Sequence, residues 1–381
     1  MELTISRKLL SFKNQLIFLG FAWTLVQGAQ LLHNGIVTNL EAEKYITQAS
    51  YFLQFGKFES HNFYLYSTQI FLIATAIKLH VGFAVIVIIQ LLLNLFATIM
   101  FCRLAIFFLK NQALAVTATF FFIVNIPYQV YTSFLFTESI FYSLTIIYSS
   151  YLLRLEKLTF KNIFFLIIFL ALLSVTRPTG ILFFASSAIY IFFRFLNHVS
   201  VLYKTLIIAV SMVIFLITVN MMLQAGGEFD FMLPFKKENI ICGVDTNINA
   251  DIKILENGNS LKGLLYYISN NEQQFLKLSK LKTISFFGMV RSYYSTSHNT
   301  FLILFFYPFY ILSAIGIRKK IMHKDKTTIF LFTIIMLYWT TTLLTCDDWH
   351  NRFILTVSPF LFLLGLAAFS KKDVPSDGLE K

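Results

Sequence analysis

The sequence predicts an all-α polytopic membrane protein with about ten transmembrane helices plus juxtamembrane helices. Hydrophobic residues make up 57% of the 381 positions and charged residues only 13%, whereas a soluble domain carries roughly 25% charged residues. The 45 phenylalanines bring more apolar surface than one globular core can bury. The apolar runs are long and lack the alternation of barrel strands, so each fits a helix that crosses a hydrocarbon layer of roughly 30 Å.

The predicted spans follow from the apolar runs and from parity. The runs lie at 15–33, 64–79, 81–108, 112–127, 137–153, 162–176, 179–196, 204–223, 299–317, 327–345 and 352–369. Both chain ends are predicted on the same side, so the number of spans must be even. The short run 64–79, which is followed by His80, is interpreted as a juxtamembrane or re-entrant helix, and the other runs are the spans.

The net charge of +12 is arranged as the positive-inside rule expects, because most basic residues lie in short segments between apolar runs. This pattern predicts contact with membrane lipids rather than with nucleic acid. It places both termini and the basic clusters at 154–161, 194–204, 318–326 and 371–372 in the cytoplasm. The non-cytoplasmic segments are then 34–63, 128–137, 225–298 and 346–351.

The chain divides into four parts on this map. Residues 1–224 form an N-terminal transmembrane module with the outer loop 34–63. Residues 225–298, which have a soluble composition, form an extracytoplasmic region whose second half has the apolar spacing of a surface helix. Residues 299–369 are the C-terminal spans, and 370–381 are a cytoplasmic tail.

The three cysteines, Cys102, Cys242 and Cys346, have neither zinc-site spacing nor the pattern of a disulfide framework. A Cys242–Cys346 bridge outside the membrane is left open. The basic N-terminus before an apolar run resembles a signal peptide, but the run is long and more spans follow. We therefore predict an uncleaved first span.

Ionisable residues at membrane depth are costly and mark functional candidates. Glu41 and Glu43 open a helix in the first outer loop, Glu138 opens a span after the second, and Arg177 lies between two strongly apolar helices. Each also has a plain structural interpretation. The acids favour the first turn of a helix, and an arginine can extend to lipid headgroups.

A fourth candidate is the short loop with Asp347, Asp348, His350 and Arg352 within six residues. Aspartate and histidine together suggest a metal, but no further spacing completes a site, so no metal is expected. A solvated loop with Arg352 as a headgroup anchor is the structural alternative.

Carboxylates and arginines on one membrane face suit one chemistry in particular. Arginine holds a lipid phosphate bidentately, and a carboxylate accepts the proton of a hydroxyl that attacks a sugar carbon. Cations then stabilise the phosphate leaving group.

The order of these features resembles the GT-C glycosyltransferases, the polytopic group that includes protein O-mannosyltransferases and bacterial aminoarabinose transferases. The similar elements are Glu41-Ala42-x-x-Tyr45-x-x-x-Ala49 with Gly56, Glu138, Arg177-Pro-Thr-Gly, the segment 291–299, and Arg352-Phe353 with Pro359. The similarity extends from about 15 to 369. The first-loop acid is usually aspartate in that family, and here it is Glu41 with Glu43 close by.

The resemblance implies a polyprenyl-phosphate-linked sugar as donor, and a glycan, lipid or protein as acceptor, with inversion at the anomeric carbon. It implies a bacterial inner membrane, an extracytoplasmic active site and no required cofactor. The implied roles are catalytic for Glu41 or Glu43 and for Glu138, phosphate-binding for Arg177, Arg291, Arg352 and His298, and substrate-binding for Tyr45, Tyr293, Tyr294 and Asp348.

Two other functions compete with this one. A transporter or flippase of lipid-linked saccharides would bind the same phosphate without chemistry, but the sequence lacks the repeat symmetry typical of transporters. A polysaccharide polymerase would need paired arginine-rich outer loops, and 225–298 contains Arg291 alone.

Overall fold

A computed structural model describes residues 2–196, 200–224, 230–244, 251–256 and 258–370. Within these ranges the regular elements are helices, and β pairing is limited to the isolated bridges Val37–Phe134 and Ile241–Asp347. The predicted tail from 371 onward lies outside the described residues. The prediction of an all-helical membrane protein is confirmed.

The helices are numbered in chain order. The first half of the chain contains α1 (Glu2–Asn34), α2 (Glu41–Phe55), α3 (Ser67–Leu79), α4 (Ala84–Leu109), α5 (Gln112–Ile123), α6 (Ile126–Gln129), α7 (Thr137–Leu153), α8 (Phe160–Thr176) and α9 (Ile181–Phe195). The second half contains α10 (Val201–Leu223), α11 (Leu233–Lys236), α12 (Leu261–Asn270), α13 (Glu272–Gly288), α14 (Thr296–Met322), α15 (Lys326–Leu344) and α16 (Arg352–Leu366). Short 3₁₀ turns cover His61–Tyr66, Val130–Ser133, Pro178–Gly180 and Ala367–Phe369.

Six helices in the described part of the chain are long and apolar enough to cross a membrane. They are Phe12–Asn34, Ala84–Leu109, Pro178–Phe195, Thr296–Met322, Lys326–Leu344 and Arg352–Phe369. The other predicted spans coincide with a bent pair of helices, with α7 and with the apolar segments Phe160–Thr176 and Thr205–Met221, so the count of about ten stays a prediction. Helix α3 has 13 residues and is about 20 Å long, which is too short to cross and fits the juxtamembrane interpretation.

The predicted span 112–127 is broken. Helix α5 and the segment Ile126–Ser133 meet at an angle of 59°. Pro127 has no backbone N–H to continue a helical ladder. The Gln129 side chain compensates by donating a hydrogen bond to the Phe122 carbonyl at 2.8 Å. The bend turns the chain toward the start of α7.

Helix α7 lies at the centre of the bundle, where every side chain except Tyr151 is buried. Its many hydroxyl groups make it more polar than the neighbouring helices, although the sequence predicts a span over 137–153. Two of these hydroxyls are satisfied within the helix, since Ser143 and Ser149 each donate to the carbonyl four residues earlier. Glu138 begins this helix and Arg154 follows its last turn, so the two lie at opposite ends of the bundle.

The far end of the bundle from Glu138 carries the basic residues. Lys319 in the last turn of α14 donates to the Ala368 carbonyl at 3.1 Å, beyond the end of α16. Arg352 begins α16 at its other end. Among the described residues, the basic groups at Arg154, Arg194 and Lys319 are therefore separated from the acidic and arginine candidates by the length of the helices.

The described part of region 225–298 has a small core of its own. Phe231, Met232, Phe235, Leu264 and Tyr267 pack together with Leu223, apart from the main core. The segment predicted as a surface helix is helical and forms α12 and α13, with α13 packed on α15. Its position at the membrane surface stays a prediction.

Candidate functional site

Four segments that are distant in sequence meet at one end of the bundle. Glu41 begins α2, Glu138 lies in the first turn of α7, Arg177 follows α8, and Asp348 and Arg352 lie at the start of α16. These five side chains, joined by ion pairs, are called the ion-pair cluster below. Because α8 ends where α7 and α16 begin, antiparallel packing brings their termini to one side.

Arg352 is the centre of the cluster. Its Nη1 donates to Glu138 Oε1 at 2.6 Å and also to Glu41, and its Nε donates to Asp348 Oδ1 at 2.6 Å. Tyr142 fixes the backbone at this point by donating from its hydroxyl to the Arg352 carbonyl at 3.1 Å. One guanidinium thus joins three carboxylates that come from three different parts of the chain.

Arg177 is the second guanidinium of the cluster. Its Nη1 donates to Glu138, and its carbon Cζ lies 5.9 Å from the ring centre of Phe141. Its Nε is buried without a hydrogen-bond partner among the described residues. A buried donor without a partner is costly, so Arg177 is suited to receive an additional acceptor oxygen.

Glu41 and Arg352, which form an ion pair, each directly follow a residue with positive φ. Leu40 has φ 57° and ψ −126°, and Asn351 has φ 60°. Asparagine adopts left-handed backbone readily, but leucine does so at a cost. The structure therefore holds strain immediately before Glu41, at the point where its carboxylate is aimed into the cluster.

Burial and charge define the electrostatics of the site. Glu138 is fully buried, while the side chains of Arg177 and Arg352 are 10% and 14% exposed to solvent. Burial raises the pKa of Glu41, but the charges of Arg352, Lys44 and Arg177 outweigh it and lower the pKa to about 2. Burial also raises the pKa of Asp348, and Arg352 and Arg177 lower it below its ordinary value overall.

Lys44 and Tyr66 belong to the site, although the sequence analysis did not select them. Lys44 Nζ lies 3.4 Å from Glu41 Oε1 and 5.3 Å from the ring centres of Tyr45 and Tyr66. The i, i+3 spacing from Glu41 is a signal for Lys44, whereas no charge or spacing marks Tyr66. With Lys44 included, three carboxylates face three cations, and the site has no surplus of either charge.

The two first-loop acids are placed differently. Glu41 accepts a hydrogen bond from the Tyr45 hydroxyl at 2.8 Å and joins the ion-pair cluster. Glu43 is exposed on another face of α2. The predicted substrate residue Tyr45 is itself fully buried, so its contact with the site is made through its hydroxyl.

Arg291 lies outside the ion-pair cluster. Its Nη2 pairs with Asp347, and its Nη1 donates to the Ser285 carbonyl at 3.1 Å. Both side chains are almost completely buried, at 1% and 0% exposure. The structure therefore places Arg291 against the loop that carries Asp348 and not beside Arg177 or Arg352.

The remaining predicted residues form an exposed group beside this loop. The Tyr293 ring stacks on Trp349, with 4.7 Å between ring centres and an angle of 16°. The Tyr294 ring lies 4.4 Å from that of His298. His298 is exposed, and its backbone N–H is capped by the Ser295 hydroxyl at the start of α14.

Cys242 and Cys346 form a disulfide, the pairing that the sequence left open, with 5.2 Å between their Cα atoms. Among the described residues, no group of three or more His, Cys, Asp or Glu side chains is arranged to hold a metal ion. In the ion-pair cluster, the Arg352 guanidinium occupies the space between the carboxylates.

No family model, curated protein or solved structure matches this chain. A function for this chain is therefore inferred from the geometry of its own residues.

Proposed function

We propose that this protein is a membrane glycosyltransferase that moves a sugar from a polyprenyl-phosphate donor to an extracytoplasmic acceptor with inversion. The observation that carries the proposal is the ion-pair cluster. In it, the partly accessible Arg177 and Arg352 lie close to the Glu41 carboxylate, at the end of the helical bundle where α7 and α16 begin. This combination supplies a phosphate site and a base within one side chain's reach.

Arg177 and Arg352 are the proposed phosphate ligands. Both guanidinium groups contact Glu138 Oε1, so they lie side by side and offer their remaining donors to one anion. Planar guanidinium groups suit phosphate oxygens, and their charges stabilise the leaving group as the sugar–phosphate bond breaks. Glu138 holds both arginines in place and is proposed to orient them.

Glu41 is the proposed general base. Its carboxylate accepts the proton of the acceptor hydroxyl while that oxygen attacks the anomeric carbon from the face opposite the phosphate. The carbon–oxygen bond to phosphate breaks, and its electron pair leaves with the polyprenyl phosphate. Tyr45 and Lys44, both in contact with Glu41, position this carboxylate. Glu43 is exposed and is less suited to the role.

Two independent features support an extracytoplasmic site. Disulfides form and persist in oxidising compartments, and the Cys242–Cys346 bridge lies one residue from Asp347 in the loop that leads to Arg352. The described basic residues Arg154, Arg194 and Lys319 lie at the opposite end of the helices, as expected for a cytoplasmic face. An extracytoplasmic site implies a lipid-linked donor rather than a nucleotide sugar.

The experiment is mass spectrometry of cell-envelope glycans, glycolipids and glycoproteins from a strain without the gene. The strain is complemented with the wild-type chain, Glu41→Gln or Glu43→Gln. We expect one sugar residue to disappear on deletion and to return with the wild type and Glu43→Gln but not with Glu41→Gln. Full restoration by Glu41→Gln would remove the base and favour a transporter, which needs only the phosphate-binding arginines.

A further inference from the structure

The loop that carries Asp348 and Arg352 is fastened to the extracytoplasmic region by its backbone. The Asp347 N–H donates to the Ile240 carbonyl at 2.8 Å, and the Cys242 N–H donates to the Asp347 carbonyl at 2.9 Å. The Cys242–Cys346 disulfide closes the same contact covalently. A short strand-like pairing thus connects segment 240–242 to the residue next to Asp348.

Side chains also hold the loop against the last turn of α13 and the segment that follows this helix. Asp347 Oδ2 accepts from the Ser285 hydroxyl at 2.7 Å and pairs with Arg291. The Asn351 side chain donates to the Met289 carbonyl at 2.7 Å. The residues on both sides of Asp348 are therefore held, and Arg352 follows Asn351 directly.

We infer that Asp347, Arg291 and the Cys242–Cys346 disulfide are positioning elements that set Arg352 for phosphate binding. The inference rests on the proposed function, since it takes Arg352 as a phosphate ligand. It assigns Arg291 a role different from the one that the family resemblance implied. Among the described residues, Nε of Arg291 also has no partner, but its side chain is 1% exposed, so a ligand has no path to it.

A consequence is that phosphate binding depends on the oxidation state of the protein. When the disulfide is reduced, the loop keeps its ion pair and its backbone pairing but loses the covalent connection beside Asp347. The Arg352 side chain can then move away from the position in which it and Arg177 bind the same anion. The active conformation is thus favoured only where thiols are oxidised.

The first test measures binding of farnesyl methyl phosphate to the purified full chain in detergent, before and after reduction. This phosphodiester has a prenyl chain and no sugar, so sugar specificity does not enter. Alkylation and mass spectrometry verify that Cys242 and Cys346 are reduced. We expect at least tenfold weaker binding after reduction, and the same affinity for Cys242→Ser/Cys346→Ser with or without reductant.

Cys102→Ser is the matched control, because Cys102 is the free, buried cysteine, and it should respond to reduction like the wild type. Unchanged affinity of the reduced wild type would overturn the inference. The proposed function fails separately, if the oxidised wild type does not bind the phosphodiester or if Arg352→Ala binds it equally well.

The second test distinguishes positioning from direct phosphate contact. If Arg291 positions the loop through Asp347, then Asp347→Asn and Arg291→Gln each weaken binding about tenfold, and the double variant is no worse than either because they act as one unit. If Arg291 were itself a phosphate ligand, Asp347→Asn would free it and strengthen binding. That result would overturn the inference even if the variants differ in thermal stability.

Discussion

Arg352 and Glu41 form an ion pair across 311 residues of sequence. The pair joins the proposed phosphate ligand directly to the proposed base. Arg352 Nη1 already donates to Glu41 and Glu138, so a phosphate that draws the guanidinium toward itself changes the environment of these carboxylates. Without a ligand, the positive and negative charges of the cluster and Lys44 balance. A bound anion adds negative charge, which has to be offset.

The first prediction concerns the base. Glu41→Gln keeps the shape of the side chain and removes its ability to accept a proton, so transfer should fall by about 10²–10⁴-fold. Glu43→Gln, on the exposed face of the same helix, should keep near-wild-type activity. Complementation of the deletion strain, scored by quantitative glycan mass spectrometry, measures both. Equal activity of the two variants would contradict the assignment of Glu41.

The second prediction concerns protons. The pKa of Glu41 is about 2 in the empty site because Arg352, Lys44 and Arg177 outweigh burial, so Glu41 is ionised at pH 4.5. When Arg352 turns to the phosphate, that pKa should rise to its ordinary value of 4.5 or above, and Glu41 should take up a proton. Calorimetry of farnesyl methyl phosphate binding at this pH, in two buffers of different ionisation enthalpy, measures the uptake.

The ligand itself does not titrate in this range, because a phosphodiester keeps one fixed negative charge. The uptake should amount to at least about half a proton and should disappear in Glu41→Gln but not in Glu43→Gln. Binding without any proton uptake by the wild type would show that Arg352 does not leave Glu41.

The third prediction concerns stability. Glu138→Gln removes the fully buried carboxylate that both arginines contact, and it should lower the free energy of unfolding by about 3–5 kcal/mol. Glu43→Gln, at an exposed position, should change it by less than about 0.5 kcal/mol. Thermal unfolding in detergent compares the two. A Glu138→Gln protein as stable as the wild type would mean that the ion pairs are not formed in solution.

The fourth prediction concerns the side of the membrane. In a Cys102→Ser background, Glu43→Cys and Lys57→Cys should react with a membrane-impermeant maleimide applied to intact cells or spheroplasts. Lys157→Cys and Lys324→Cys, all four positions being exposed, should react only after the membrane is opened. The reverse pattern would place the ion-pair cluster in the cytoplasm and remove the lipid-linked donor from the proposal.

The sequence predicted the members of the cluster because of a constraint that membranes impose. Helices that cross a layer present their ends at one of two faces, so Glu138 and Arg177 could be placed on one side from parity alone. The spacing could also have shown that Glu41 and Glu43 lie on different faces of the helix. Glu41, Tyr45 and Ala49 recur every four residues on one helical face, and a residue two positions on points elsewhere.

Other features depend on tertiary contacts that no local pattern contains. The cysteines of the disulfide are separated by 104 residues, and their approach is set by the pairing of segment 240–242 with Asp347. Arg291 resembles a phosphate ligand in sequence, and only its burial against Asp347 suggests a different role. Helix α7 lies at the centre of the bundle, but it is rich in hydroxyl groups. Its hydropathy therefore does not show that it is more buried than the other helices.

The most direct test of the account is the affinity of farnesyl methyl phosphate for the wild type, Arg177→Ala, Arg352→Ala and Arg154→Ala. Arg154 is an exposed arginine at the other end of α7 and serves as the control. Loss of a charge-assisted phosphate contact is worth about 1.5–3 kcal/mol, or roughly 10–100-fold in affinity. The account predicts that loss for Arg177→Ala and Arg352→Ala and none for Arg154→Ala. Equal affinity in all four proteins would contradict it.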